Sequence, residues 1–97
     1  MLKDIAPAGG AEMSLADLPR GQVARVVGVH AAGGHAPVEL TRRLAELGFL
    51  PGERVRVVAQ GFPGRDPLAV RIGTGTFALR RFEAACVTVS LDVSSGG

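Results

Sequence analysis

The run Leu44-Ala45-Glu46-Leu47-Gly48-Phe49-Leu50-Pro51-Gly52-Glu53-Arg54-Val55 changes its periodicity in the middle. Upstream of Gly48, Leu40, Leu44 and Leu47 recur at the spacing of one helix face. Glu39 precedes Arg43 by four residues, the favourable order for an acid–base pair on a helix. Gly48 then stands where a helix stops in a left-handed residue, and Phe49 is placed to fold back on Leu44. Pro51-Gly52 prevents any continuation. From Glu53 to Gln60 the period is two, with Val55 and Val57 on one side and Arg54 and Arg56 on the other. The reading is helix, Gly stop, turn, strand.

Working outward, the same two-residue alternation returns on both sides. Gln22 to Val29 is a Val-rich strand. Ala24 and Val26 share a face there, and a one-residue bulge near Val27-Gly28 brings Val29 back to it. Ala31 to Pro37 is a loop of Gly, Ala, His and Pro. Beyond the turn-rich stretch from Gly61 to Pro67, Leu68, Val70 and Ile72 alternate against Ala69 and Arg71, and Gly73-Thr74-Gly75 marks a hairpin into the strand from Thr76 to Leu79. Arg80 to Ala85 makes one helical turn, and Val87, Val89 and Leu91 form a last strand. Near the start, Ser14 before Leu15-Ala16-Asp17 is an N-cap signal for one short turn, pinned by Leu15 and Leu18. Residues 1–13 read as a flexible arm, 14–93 as one domain and 94–97 as a flexible tail. The predicted core is Val26, Val29, Leu40, Leu44, Leu47, Val55, Val57, Leu68, Val70, Ile72, Leu79, Val87 and Val89, with Phe49 beside it. Five short strands with one helix cannot stand as a flat open sheet, so partial closure into a barrel is expected.

Composition narrows the function. The chain has 97 residues, enough for one domain with one core. Hydrophobic residues are 46% and charged residues 21%, which is globular usage. There are four Phe, no Trp and no Tyr, too few rings for a proline-peptide groove or a base-stacking platform. Net charge is +2, too small for bulk nucleic-acid affinity. A nucleic-acid module would need its arginines gathered on one face with few acids between them. One Cys, Cys86, excludes an internal disulfide and Cys-rich zinc motifs, and its apolar neighbours mark it as a buried, inert thiol. No run approaches the ~18 apolar residues of a membrane span, and the start lacks a signal-peptide core, so a cytoplasmic chain is expected. A Gly-Lys-Ser/Thr phosphate loop is absent, as is a catalytic constellation, so the chain is expected not to be an enzyme.

The order and spacing of these pieces resemble the FeoA family. The Leu44–Val55 run is similar to that family's helix-to-strand signature. Leu15-Ala16-Asp17-Leu18-Pro19-Arg20-Gly21 is similar to its opening, Asp66–Val70 and Phe77–Arg81 to its later strands, and Ala85–Val89 to its close. The resemblance covers about residues 14 to 91. It implies a mainly β fold, a small SH3-like, partly open barrel of about five strands with one short α-helix between the first and second strands. It also implies an accessory protein of bacterial ferrous iron uptake, recruited to the inner face of the membrane by the cytoplasmic domain of the permease FeoB. The alternative is the SH3-like module of a metal-dependent transcriptional repressor.

Two groups of residues are candidates for binding. His30 and His35 are the only imidazoles, and Glu39 follows near the helix start. Such a set suits zinc or ferrous iron as an adventitious or regulatory ion, water or a second chain completing the shell, which would allow metal-mediated homodimers. The plainer reading is that they are solvated loop residues. Arg54, Arg56 and Arg71 point outward by strand parity and form a basic stripe if their strands pair, with Leu50 and Phe62 as apolar anchors for a protein partner. The plainer reading there is a solvated face balanced by Glu53, Asp66 and Glu83.

Overall fold

A computed structural model describes residues 12–29 and 38–91. The elements are β1 (Glu12–Ser14), a 3₁₀ turn (Leu15–Asp17), β2 (Val23–Val29), α1 (Val38–Leu47), β3 (Arg54–Gln60), β4 (Leu68–Ile72), β5 (Gly75–Leu79), α2 (Arg81–Ala84) and β6 (Val87–Leu91). All six strands form one antiparallel sheet in the order β1-β6-β2-β3-β4-β5.

The helix-to-strand junction is built as the sequence predicts. Gly48 has φ +116°, its N–H donates to the Ala45 carbonyl (3.0 Å), and the Phe49 N–H donates to Leu44 (3.0 Å). These are the two crossed bonds of a Schellman stop. They return Phe49 to the core, where it and Leu44 are fully buried. A Cβ at Gly48 would meet only Ile72, at 3.9 Å, so the restriction there is one of backbone and not of space. Gly48→Ala should therefore cost about 1–2 kcal/mol. A chemical-denaturation midpoint equal to wild type would contradict it.

The inner faces of the strands close over one core. Ala24, Val26, Val55, Val57, Leu68, Val70, Ile72, Leu79, Val87 and Val89 are all buried, sealed by Leu15 and Leu18 at one end and Leu44 and Phe49 from the helix side. The predicted bulge is present in β2, where the pairing with β6 shifts between Val26 and Gly28. A second shift falls between Val57 and Ala59 in β3. The Ser14 hydroxyl caps the 3₁₀ turn by accepting from the Ala16 N–H (3.0 Å).

Four expectations need correction. Glu12 and Met13, assigned to a flexible arm, lie in β1, which pairs with β6 through Glu12↔Ser90 and Met13↔Val89. Among the described residues the strands therefore number six, and the helix falls between the second and third of them. Val29, Leu40 and Leu47 are only half-buried and pack against the core from its margin. Arg43 does not pair with Glu39; its guanidinium reaches across to Glu83 (2.7 Å), a buried carboxylate of α2. Among the described residues, no helix is long and apolar enough to cross a membrane.

Candidate functional site

Alternation and register together place the arginines. Val55 and Val57 turn into the core, so Arg54 and Arg56 must turn out. On β4, Val70 and Ile72 are buried and Arg71 is exposed. The β3–β4 register sets Arg56 directly opposite Arg71, and the β2–β3 register sets Arg25 opposite Arg54. One cross-strand row thus reads Val23, Arg56, Arg71, Thr76, with the Arg25–Arg54 pair beside it. Arg25 is held by its Nη1, which donates to the Gly52 carbonyl (2.9 Å) in the turn that enters β3.

Like charges directly opposite on a sheet destabilise it by a few tenths of a kcal/mol or more. Two such pairs stand on this face. Arg56 and Arg71 have no ion pair among the described residues. They line an open groove with Val23, Glu53, Arg54 and Gly73. Of the three acids expected to balance the stripe, only Glu53 is there. Asp66 faces α2, accepting from the Arg81 N–H (3.0 Å), and Glu83 is held by Arg43 and by the Arg80 N–H (2.7 Å). Among the described residues the face is therefore net cationic and suited to carboxylates or phosphates, which guanidinium forks bind in bidentate fashion.

The two apolar candidates are separated. Leu50 is about half exposed and lies in a second groove with Leu47, Ile72, Gly73 and Phe77; Glu53 and Gly73 line both this groove and the arginine groove. Phe62 is 96% exposed, at the far end of β3 beside Arg20 and Arg65, and shares no groove with the arginine pair. The stripe and Leu50 are brought together; Phe62 is not. His30 and His35 lie outside the described residues. Glu39 is exposed at the first turn of α1, and among the described residues no group of three His, Cys, Asp or Glu side chains could hold a metal ion. Cys86 is buried, with its Sγ directed at the Phe82 carbonyl (3.6 Å).

Sequence reasoning passed over two residues. Arg25 belongs to the cationic face, and the signal was available: it alternates with buried Ala24 and Val26. Phe82 is 67% exposed in a shallow depression with Ser14, Asp17 and Arg81. Only its place on the short α2, one residue before buried Glu83 and Ala84, hints at that exposure.

Comparison with known proteins gives a consistent neighbourhood. The FeoA domain family model matches residues 13–91. The crystal structure of Stenotrophomonas maltophilia FeoA, complexed with zinc and described as an SH3 domain protein, is 46% identical with a TM-score of 0.71, over 80% of this chain and 89% of that one. The solution structure of FeoA from Chlorobium tepidum is 32% identical with a TM-score of 0.69, over 81% of this chain and 70% of that one. A manganese-dependent transcriptional repressor superposes with a TM-score of 0.72 at 20% identity, over 86% of this chain and 43% of its own, a likeness of fold alone. Among curated proteins, none matches the sequence.

Proposed function

The chain belongs to the FeoA family, and on that premise we propose that it is an accessory protein of ferrous iron uptake that docks on the cytoplasmic domain of a FeoB-type permease. It works as a binding module, located in the cytoplasm and brought to the membrane by its partner, and it performs no chemistry of its own. The observation that carries this reading is the Arg56–Arg71 pair. Two arginines stand at directly opposed register positions on β3 and β4 and line one open groove, without ion pairs among the described residues. An acidic partner surface relieves that repulsion and gains charge-assisted hydrogen bonds. Arg54 and Leu50 border the same surface, while Phe62 serves as a separate anchor at the other end of β3.

A transition-metal ion has an optional place in this reading. The zinc complex of the Stenotrophomonas relative supports it. In this chain the donors are His30 and His35, with Glu39 as a carboxylate, and a second copy can complete the shell as a metal-mediated dimer. Docking needs no metal, and no cofactor is required.

The repressor reading has one observation on its side, the gathering of arginines on one face that a nucleic-acid module would need. Four arginines do share one face, but Glu53 lies in their groove, and four cations are few for nucleic-acid affinity.

The test is charge reversal. Arg56→Glu with Arg71→Glu should leave the melting temperature within a few degrees of wild type, because both side chains are exposed. Affinity for the permease's cytoplasmic domain should fall about tenfold or more at low salt. The difference should shrink as ionic strength rises and the screening length drops to ~10 Å at 0.1 M. Restoration of ferrous uptake in a strain lacking the wild-type protein should fall with it. A folded double variant with undiminished binding and uptake would move the docking surface to the helix side, around Arg42, Arg43 and Glu46.

A further inference from the structure

Among the described residues the sheet ends at β5, and that edge is built unlike a protected one. The hairpin closes through the two-residue turn Gly73-Thr74, so Ile72 and Gly75 are its closing, hydrogen-bonded pair. Alternation along an antiparallel ladder then makes Val70–Phe77 and Leu68–Leu79 bonded pairs and Arg71–Thr76 and Ala69–Ala78 non-bonded ones. The backbone N–H and C=O groups of Thr76 and Ala78 therefore point away from β4. Among the described residues no strand pairs on that side and no turn or loop bond reaches them. Natural edges are usually blunted by a charge, a Pro or a bulge. The segment Gly75-Thr76-Phe77-Ala78-Leu79 has no charge and no Pro, and its register with β4 is unbroken.

The two faces beside this edge differ in chemistry. On the inner side, the groove of Leu47, Leu50, Ile72 and Phe77 opens between the end of α1 and the hairpin. On the outer side, the row Thr76, Arg71, Arg56 runs back from the edge across the sheet. A strand laid along β5 would place one residue opposite Thr76, about 10 Å from the Arg71 backbone, two interstrand spacings away. That gap is within the combined reach of an arginine and a carboxylate side chain.

We propose that the β5 edge takes up an extended segment of a partner protein as a seventh strand. The segment alternates apolar residues, which enter the Leu47–Leu50–Phe77 groove, with acidic residues, which meet Arg71 and lie in the field of Arg56. Charge selects this occupant. Pairing β5 with β5 of a second copy would set two rows of arginines against each other, whereas an acidic strand neutralises the one present. The inference rests on the outer face being a docking surface and specifies the partner's chemistry there. Its test needs no permease, so the two readings fail separately.

The probe is a nine-residue peptide alternating Val with Glu, compared with one alternating Val with Lys. Amide hydrogen exchange and NMR shifts are followed on the full chain. Saturating Val/Glu peptide should slow exchange at the Thr76 and Ala78 amides at least tenfold, and the Val/Lys peptide should bind at least tenfold more weakly at low salt. Arg71→Glu should reverse that preference. Thr76→Pro removes an outward N–H that the ladder to β4 does not use, and should abolish peptide uptake. Should Thr76→Pro fail to fold, the exposed Arg71→Glu variant still tests the charge rule. The proposal is overturned by unprotected Thr76 and Ala78 amides at high peptide concentration, by equal binding of the two peptides, or by concentration-dependent pairing of the chain through β5.

Discussion

Gly61→Ala is expected to lower the unfolding free energy by about 3 kcal/mol, although the residue sits in a surface loop. The loop from Gly61 to Pro67 leaves β3 and returns to β4. It is cinched by the Gly61 N–H donating to the Pro67 carbonyl (2.8 Å) and the Arg65 N–H donating to the Gly61 carbonyl (3.1 Å). At this crossing the two chain segments lie so close that a Cβ on residue 61 would overlap the Asp66 carbonyl, with Pro67 N only 3.0 Å away. These are backbone atoms and cannot rotate aside. Relief requires moving Asp66, whose carboxylate accepts from the Arg81 N–H (3.0 Å) and lies 3.9 Å from the Arg80 guanidinium. The substitution thus disturbs the loop, the end of β3 and the start of α2 together. Urea denaturation of Gly61→Ala checks it, and a loss under about 1 kcal/mol would show that the loop can relax. Gly48→Ala is the internal comparison, because it tests backbone conformation where space is free.

Why were some elements legible in the sequence and others not? Each feature read correctly has a local cause. The Leu44–Phe49 helix stop is written in six consecutive residues, and the β2 bulge follows from a parity break at Val29 beside Gly28. The outward direction of Arg54, Arg56 and Arg71 follows from alternation against buried valines. What was missed depends on pairing between distant segments. Glu12-Met13-Ser14 has no strand signature of its own and is a strand only because β6 offers it an edge. That Arg56 faces Arg71, and that Arg25 joins Arg54, needs the register of three strands, which bulges reset. Leu50 and Phe62 each read as an apolar loop anchor, one before β3 and one after it. The strand holds them at opposite ends, so they are neighbours in the list of residues and not in space. His30 and His35 lie outside the described residues, and the metal reading stays where the sequence placed it.

Glu83→Ala should cost about 3 kcal/mol, while Glu83→Gln should cost about 1. Local reasoning would give Arg43 to Glu39 one helical turn away; the fold gives it to a residue forty positions later, and the energetics explain why that pairing matters. The Glu83 side chain is 10% exposed. One oxygen accepts from the Arg80 N–H (2.7 Å), which would otherwise be an orphan donor at the start of α2. The other accepts from Arg43 Nη1 (2.7 Å) and ties α1 to α2. Arg43 is itself 55% exposed, so its ionic attraction is screened and worth little alone. Most of the cost in Glu83→Ala comes from leaving the Arg80 N–H without an acceptor and leaving a void beside buried Ala84. Glutamine keeps an amide oxygen for the Arg80 N–H and loses only the charge, hence the smaller effect. Arg43→Ala should fall below Glu83→Ala, since it strips the carboxylate of its screened partner and leaves the helix start capped. Guanidinium denaturation of the three variants decides the matter. If Arg43→Ala proves as costly as Glu83→Ala, the ion pair and not the backbone cap holds the two helices, and the assignment of the energy to the α2 start is wrong.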